Sequence, residues 1–162
     1  MQGSARRADE EGSTTNGAPR SERTVPVTFS ASEWRMLRAV RPNILVIGVD
    51  DAVRATVSAL VAELPGPVAY LRSDAPPPGA DPAEMLVVPD VAAWSPDRQR
   101  EWVAWLGDVD ARRPQIVATS DVPVYPLVES NRFSGVLYYR LNTILVDMVT
   151  RDGHAYRKYS ER

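Results

Sequence analysis

The residues with the strongest claim to chemistry lie in Gly48–Ala55, "GVDDAVRA", directly after the apolar run "NILVIG". A glycine at the end of a strand, followed by a helix, is where a phosphate-binding loop of the form G-x-x-x-x-G-K-[ST] would sit. Gly48 is present, but the second glycine position is Val53, the lysine position is Arg54 and the hydroxyl position is Ala55. Val53 is β-branched and resists the open conformation that glycine allows. Ala55 has no oxygen for magnesium, and Arg54 keeps a charge without the compact geometry of lysine. Asp50 and Asp51 put carboxylates where amides should face phosphate. Each such repulsion costs roughly 1 kcal/mol at about 4 Å even in bulk water. The plain alternative is a strand-to-helix turn whose helix is capped by Asp50 or Asp51.

The next acid of interest is Asp90, in "MLVVPDVAAWSP". A nucleotide hydrolase needs two acids at such a strand end, one for magnesium and one to orient water. Here Pro89 precedes Asp90, so one of the two is missing. A single aspartate at a strand end also serves as an ordinary turn residue. His154 is the sole histidine and belongs to a hairpin rather than a triad. Without cysteine there is neither a disulfide frame nor a thiolate metal site. Neither a metal nor another cofactor is therefore expected.

The elements that must position these groups alternate between strand and helix. Met1 to residue 24 has almost no large apolar side chain and nearly balanced charge, the composition of a disordered tail. A single domain is expected over residues 25–162. "VPVTF" reads as a short edge strand, because Pro26 has no amide to donate. "SASEWRMLRAV" reads as a helix capped by Ser30 or Ser32 and stopped by Pro42. "NILVIG" is an apolar run without alternation, as in a strand covered on both faces, and "VAYL", "MLVV", "QIVAT" and "TILVDMV" read as four further strands. Val53, Val57, Leu60, Val61 and Leu64 follow helical spacing. Ser95-Pro96 starts a second such helix, with Trp102, Trp105 and Leu106 on its apolar side and Trp94 just before it. These three tryptophans are core, or else a partner surface, where exposed aromatics are enriched. Asp152-Gly153 turns the chain into an edge strand within "HAYRKY". The fold class is α/β, a three-layer sandwich around a mainly parallel five-stranded sheet.

"PQIVATSDVPVYPLVESNRFSGVLYYRLNTILVDM", Pro114–Met148, resembles the AAA+ central domain of bacterial sigma-54-dependent transcription activators. The family's segment runs from an "IATN" strand through a short helix and "GxFRxDLYYRLN" into the next strand. "LYYRLN", Leu137–Asn142, is the most specific match, and the likeness spans roughly Asn43 to Met148. "SPDRQREWVAWL" resembles the helix after the family's Walker B motif. The resemblance aligns Gly48 with Walker A and Pro89-Asp90 with the Walker B acids. It places Ser120 at the sensor asparagine, Ser134 at one of two arginines presented to a neighbour's nucleotide, and Arg140 at the other. The insertion that contacts sigma factor has no counterpart beyond the loop Arg72–Ala83, and the helical lid and helix-turn-helix are absent from this sequence.

The resemblance thus implies a P-loop NTPase-like core with a degenerate nucleotide site at Gly48, Asp50, Asp51, Arg54 and Asp90. The expected function is a pseudo-ATPase interaction module with a protein partner, an AAA+ activator or a second copy. One alternative is docking onto an intact activator through Arg140. Another is a receiver-like phosphoacceptor domain, with Asp50-Asp51 as acid pair, Asp90 as acceptor and Thr119 or Ser120 as switch hydroxyl. A receiver carries a helix between its second and third strands, where this chain has "APPPGADP". The net charge of -2 offers no electrostatic case for nucleic acid, even with the short basic tail "RDGHAYRKYSER". No apolar run approaches the roughly 18 residues of a membrane span. Cytoplasm is the expected location.

Overall fold

The structure is a computed structural model that describes residues 27–79, 83–108 and 113–149, and the backbone of 156–159. The expected tail, Pro26, the Asp152-Gly153 turn and His154 lie outside the described residues. In chain order the elements are α1 (Ala31–Val40), β1 (Ile44–Ile47), α2 (Asp50–Glu63), β2 (Val68–Tyr70), β3 (Met85–Val88), α3 (Pro96–Gly107), β4 (Gln115–Ser120), α4 (Tyr125–Glu129), α5 (Gly135–Leu141), β5 (Ile144–Asp147) and β6 (Tyr156–Tyr159). A single 3-10 turn at Val91–Ala93 leads from β3 toward α3.

The strands form one sheet in the order β2-β3-β4-β1-β5-β6. The first five are parallel, and β6 pairs antiparallel with β5 along the edge. The unbroken apolar run of β1 now has its reason. Ile44 and Val46 of β1 join Val57 and Leu60 of α2 and Leu37 of α1 on one face. Leu45 and Ile47 join Trp102 of α3 and Leu137 of α5 on the other. Successive side chains of a strand point to opposite faces, so a strand covered on both sides is apolar at every position. Each such fully buried aliphatic side chain stabilises the fold by about 1.5–3 kcal/mol.

Local chemistry sets the helix ends. The Ser30 hydroxyl accepts from the Glu33 amide, and the Glu33 carboxylate accepts from the Ser30 amide at 2.7 Å, closing a capping box on α1. Ser95 caps α3 through the Arg98 amide, with Pro96 in the first turn. At the end of α1, Arg41 adopts a left-handed backbone, and its guanidinium grips Glu84 through the carboxylate at 2.9 Å and the backbone carbonyl at 2.7 Å. That grip ties α1 to the start of β3.

Two local expectations are corrected. Over its described part, "VPVTF" forms no strand; Val27 instead packs into the α1–α2 face of the core. Asp50 and Asp51 do not cap α2. Val49 holds the N-cap position with an extended backbone and no side-chain bond, and both aspartates already lie in the first helical turn. There they favour the positive end of the helix dipole.

Candidate functional site

The β1–α2 turn consists of Gly48 and Val49 alone. The Val53 amide already donates to the Val49 carbonyl at 3.0 Å, so the positions where a phosphate loop would arch are helix. The Gly48 amide is spent on the Ser120 carbonyl at 3.0 Å. A Cβ on Gly48 would lie 2.9 Å from Cε of Met148 and 3.1 Å from its Cβ. Gly48 is therefore small because Met148 crosses over it. Asp50, Asp51 and Arg54 are exposed around this turn. Arg54 and Asp51 meet at 3.2 Å with side chains 73% and 90% exposed, a pair that solvent screens to little value.

Asp90 is elsewhere. It follows β3 with φ of 55°, a left-handed backbone that aspartate tolerates better than most residues, and its carbonyl accepts from the Ala93 amide at 3.0 Å. It borders a cavity of about 420 Å³ beyond the C-terminal ends of β2, β3 and β4, with Asp74, Trp94, Arg98 and Asp121. Gly48, Asp50, Asp51 and Arg54 do not line that cavity.

Within the cavity, the Arg98 guanidinium lies 4.7 Å from the Trp94 ring centre, in cation–π range. Burial pushes its pKa below the ordinary arginine value, and its Nε and Nη2 have no hydrogen-bond partner among the described residues. Asp74 is held below the usual carboxylate range by two hydrogen bonds from Arg72, at 3.0 and 2.9 Å. Among the described residues, no group of three or more His, Cys, Asp or Glu is arranged to hold a metal ion.

The remaining expected residues have structural tasks. The Ser120 hydroxyl donates to the Val122 carbonyl at 2.6 Å and accepts from its amide, closing the turn after β4. Ser134 is the N-cap of α5, accepting from the Leu137 amide. Arg140 donates from Nη1 to the Val103 carbonyl at 2.7 Å. Arg113 donates to the Leu106 carbonyl, so two cations sit at the C-terminal end of α3, where the helix dipole favours them. Packing therefore uses Arg140, the residue that the resemblance assigns to a neighbour's nucleotide.

The tryptophan surface is corrected to core. Trp94 and Trp102 are 5% and 0% exposed, with ring centres 5.0 Å apart, and Trp105 is half-buried against Trp102.

Sequence reading missed Gln99, the residue that joins α3 to the α4–α5 connection. Its Nε2 donates to the Trp94 and Arg132 carbonyls at 2.9 and 3.1 Å, and its Oε1 accepts from the Ser134 amide at 2.7 Å. The available signal was its place on the buried stripe of α3, with Trp102 and Leu106. A polar residue on such a stripe needs internal partners.

The receiver alternative is overturned by topology. A receiver sheet runs 2-1-3-4-5, with the first strand beside the second. Here β1 lies between β4 and β5.

No family model matches the chain, and no curated protein matches it. Solved structures do. NtrX from Brucella abortus in complex with ADP aligns with a TM-score of 0.54 at 15% identity, over 76% of this chain and 37% of NtrX. The ATP complex of the same protein gives a TM-score of 0.57 at 16% identity, over 72% and 33%. The P-loop NTPase domain of a sigma-54 transport activator from E. coli aligns at a TM-score of 0.46 and 17% identity, over 67% of this chain and 97% of that domain. This chain spans a little over a third of the length of NtrX at most in these two alignments. The likeness to NtrX shows the fold alone: an α/β core around a mainly parallel sheet. Among the described residues, no helix is long and apolar enough to cross a membrane.

Proposed function

We propose that this chain is a non-catalytic interaction module, an AAA+-type core that binds a protein partner in place of hydrolysing nucleotide. The observation that carries the reading is the two-residue Gly48–Val49 turn under the Met148 side chain. Phosphate binding at this position needs several free backbone amides converging on one point. Here the amide of Gly48 is bonded within the sheet layer, and the helix has begun by Asp50. The missing lysine, hydroxyl and Walker B acid point the same way.

Arg140 supports a structural role over docking in trans, since its guanidinium is engaged on α3 of its own chain. The test is calorimetric titration of the full chain with ATP and magnesium, with NtrX, whose solved structures hold ADP and ATP, as positive control. No binding heat is expected up to millimolar nucleotide. Micromolar binding would overturn the reading.

A further inference from the structure

Between α3 and the α4–α5 connection lies a groove of about 800 Å³. Its α3 side is a continuous stripe, because Pro96, Gln99, Arg100, Val103 and Ala104 recur at helical spacing. Its other side is Val128 of α4, the segment Asn131–Ser134 and the first turn of α5. Phe133, 3% exposed, closes the floor. Val136 is an apolar residue 54% exposed at the lip.

This wall is built without any occupant. Gln99 spends its amide on both sides of the groove's inner edge. The Arg132 and Phe133 amides share the Leu127 carbonyl, at 2.8 and 3.0 Å. Asn131 takes the left-handed backbone, with φ of 56°, that the tight turn requires. A concavity fixed in this way costs a ligand little ordering entropy.

The charge of the groove is one-sided. Arg100 and Arg132 line it, and among the described residues no carboxylate does. The Arg132 Nε reaches only the Ser130 hydroxyl, at 3.2 Å. Arg100 has Asp97 beside it, but both side chains are exposed, 74% and 78%, so the pair is weak. The stripe from Pro96 to Ala104 is about 12 Å long at 1.5 Å per residue, a little over two helical turns. That length fits the i, i+3/i+4, i+7 anchors of a helix lying in a groove.

We propose that this groove docks an acidic amphipathic helix of a partner protein. Its apolar side chains would seat against Val103, Val128 and Val136, and its flanking carboxylates would meet Arg100 and Arg132. The proposal rests on the interaction-module reading only for the existence of a partner, and it names the class of that partner. A phosphate backbone would leave the apolar floor unused and would call for more cations than two.

The test is selection of a displayed library of helix-forming peptides, about 14 residues long or roughly four turns, against the full chain. Apolar positions are held at i, i+3, i+4 and i+7, and flanking positions are randomised. Acid-flanked peptides should be enriched. They should bind Val136→Asp and Arg132→Glu at least tenfold more weakly than the parent chain, and lysine-flanked versions should regain binding to Arg132→Glu. Both substitutions are at exposed positions, and circular dichroism confirms that the variants fold. Enrichment of basic or uncharged flanks, equal binding to Val136→Asp, or no enrichment would each overturn the proposal. So would sedimentation showing that a second copy fills the groove and is released by Val136→Asp. The nucleotide titration is independent of all these outcomes, so failure of the groove and failure of the interaction-module reading are told apart.

Discussion

At the β1–α2 turn, Asp50, Asp51 and Arg54 face water, and the ion pair between the last two is almost fully exposed. At the α3–α5 corner, Gln99, Ser134 and Arg140 are each tied to backbone groups of another segment or of their own helix start. The two regions carry residues of similar polarity and opposite mechanical status. Polar groups outside a packed region exchange one set of water contacts for another and contribute little. Polar groups inside it are costly to leave without partners. The difference locates both the stability and the preformed docking surface at the corner, and leaves the turn as a solvated edge.

This contrast can be broken by substitution. Trp102→Ala should have the largest effect, about 3–5 kcal/mol of stability, because it removes a fully buried ring between Trp94 and Trp105. The shift of a urea denaturation midpoint reads it. Gln99→Leu keeps the volume and deletes the bonds to Trp94, Arg132 and Ser134. A loss of about 1–3 kcal/mol is expected in the same measurement. A neutral outcome would mean that water replaces the amide and that the groove wall is not fixed.

Arg140→Met should cost about 0.5–1.5 kcal/mol through the lost bond to Val103. No change at all would place Arg140 with the exposed turn residues and return it to a role toward a partner. A pH series sharpens the corner further. Burial pushes the Tyr138 phenol up from its ordinary value, opposed by its hydrogen bond with Asn142. The folded state therefore holds this proton more tightly than the unfolded state. Its contribution is fully present below about pH 10, the ordinary tyrosine value, and is lost as pH rises through the folded value. Tyr138→Phe should flatten the alkaline fall in stability. Asp50→Ala, Asp51→Ala and Arg54→Ala should each change stability by no more than about 0.5 kcal/mol. A larger loss from any of them would erase the distinction between the two regions.

Much of the scaffold was legible in the sequence. β3 was read residue for residue, because a strand buried on both faces is apolar at every position. The start of α3 was equally plain, since Ser95-Pro96 is a local signal that acts through its own backbone. The phase of α5 was not. Helical spacing from Phe133 predicts one packed face of Phe133, Val136, Leu137 and Leu141, but the helix begins only at Gly135. Phe133 lies before it and is outside the helical repeat. Tyr138 takes the buried place, and Val136 is left 54% exposed. The turn after β1 was read as a plain strand-to-helix turn, and only its cap was misplaced: Val49 holds the N-cap, so α2 starts a residue earlier than a capping Asp50 would set it.

By itself, the sequence determined the alternation of strand and helix, the two-faced burial of β1 and the residues missing from a phosphate loop. These depend on side-chain type and on neighbours close along the chain. Only the tertiary structure decided that β1 lies between β4 and β5, that Asp90 borders a cavity with Asp74 and Arg98, and that Gln99 and Arg140 lock α3 to α5. It also decided that two arginines border an apolar groove. Each of these joins residues far apart in sequence, brought together by sheet order and by which helix covers which face, and that pairing is settled by the packing of the whole core.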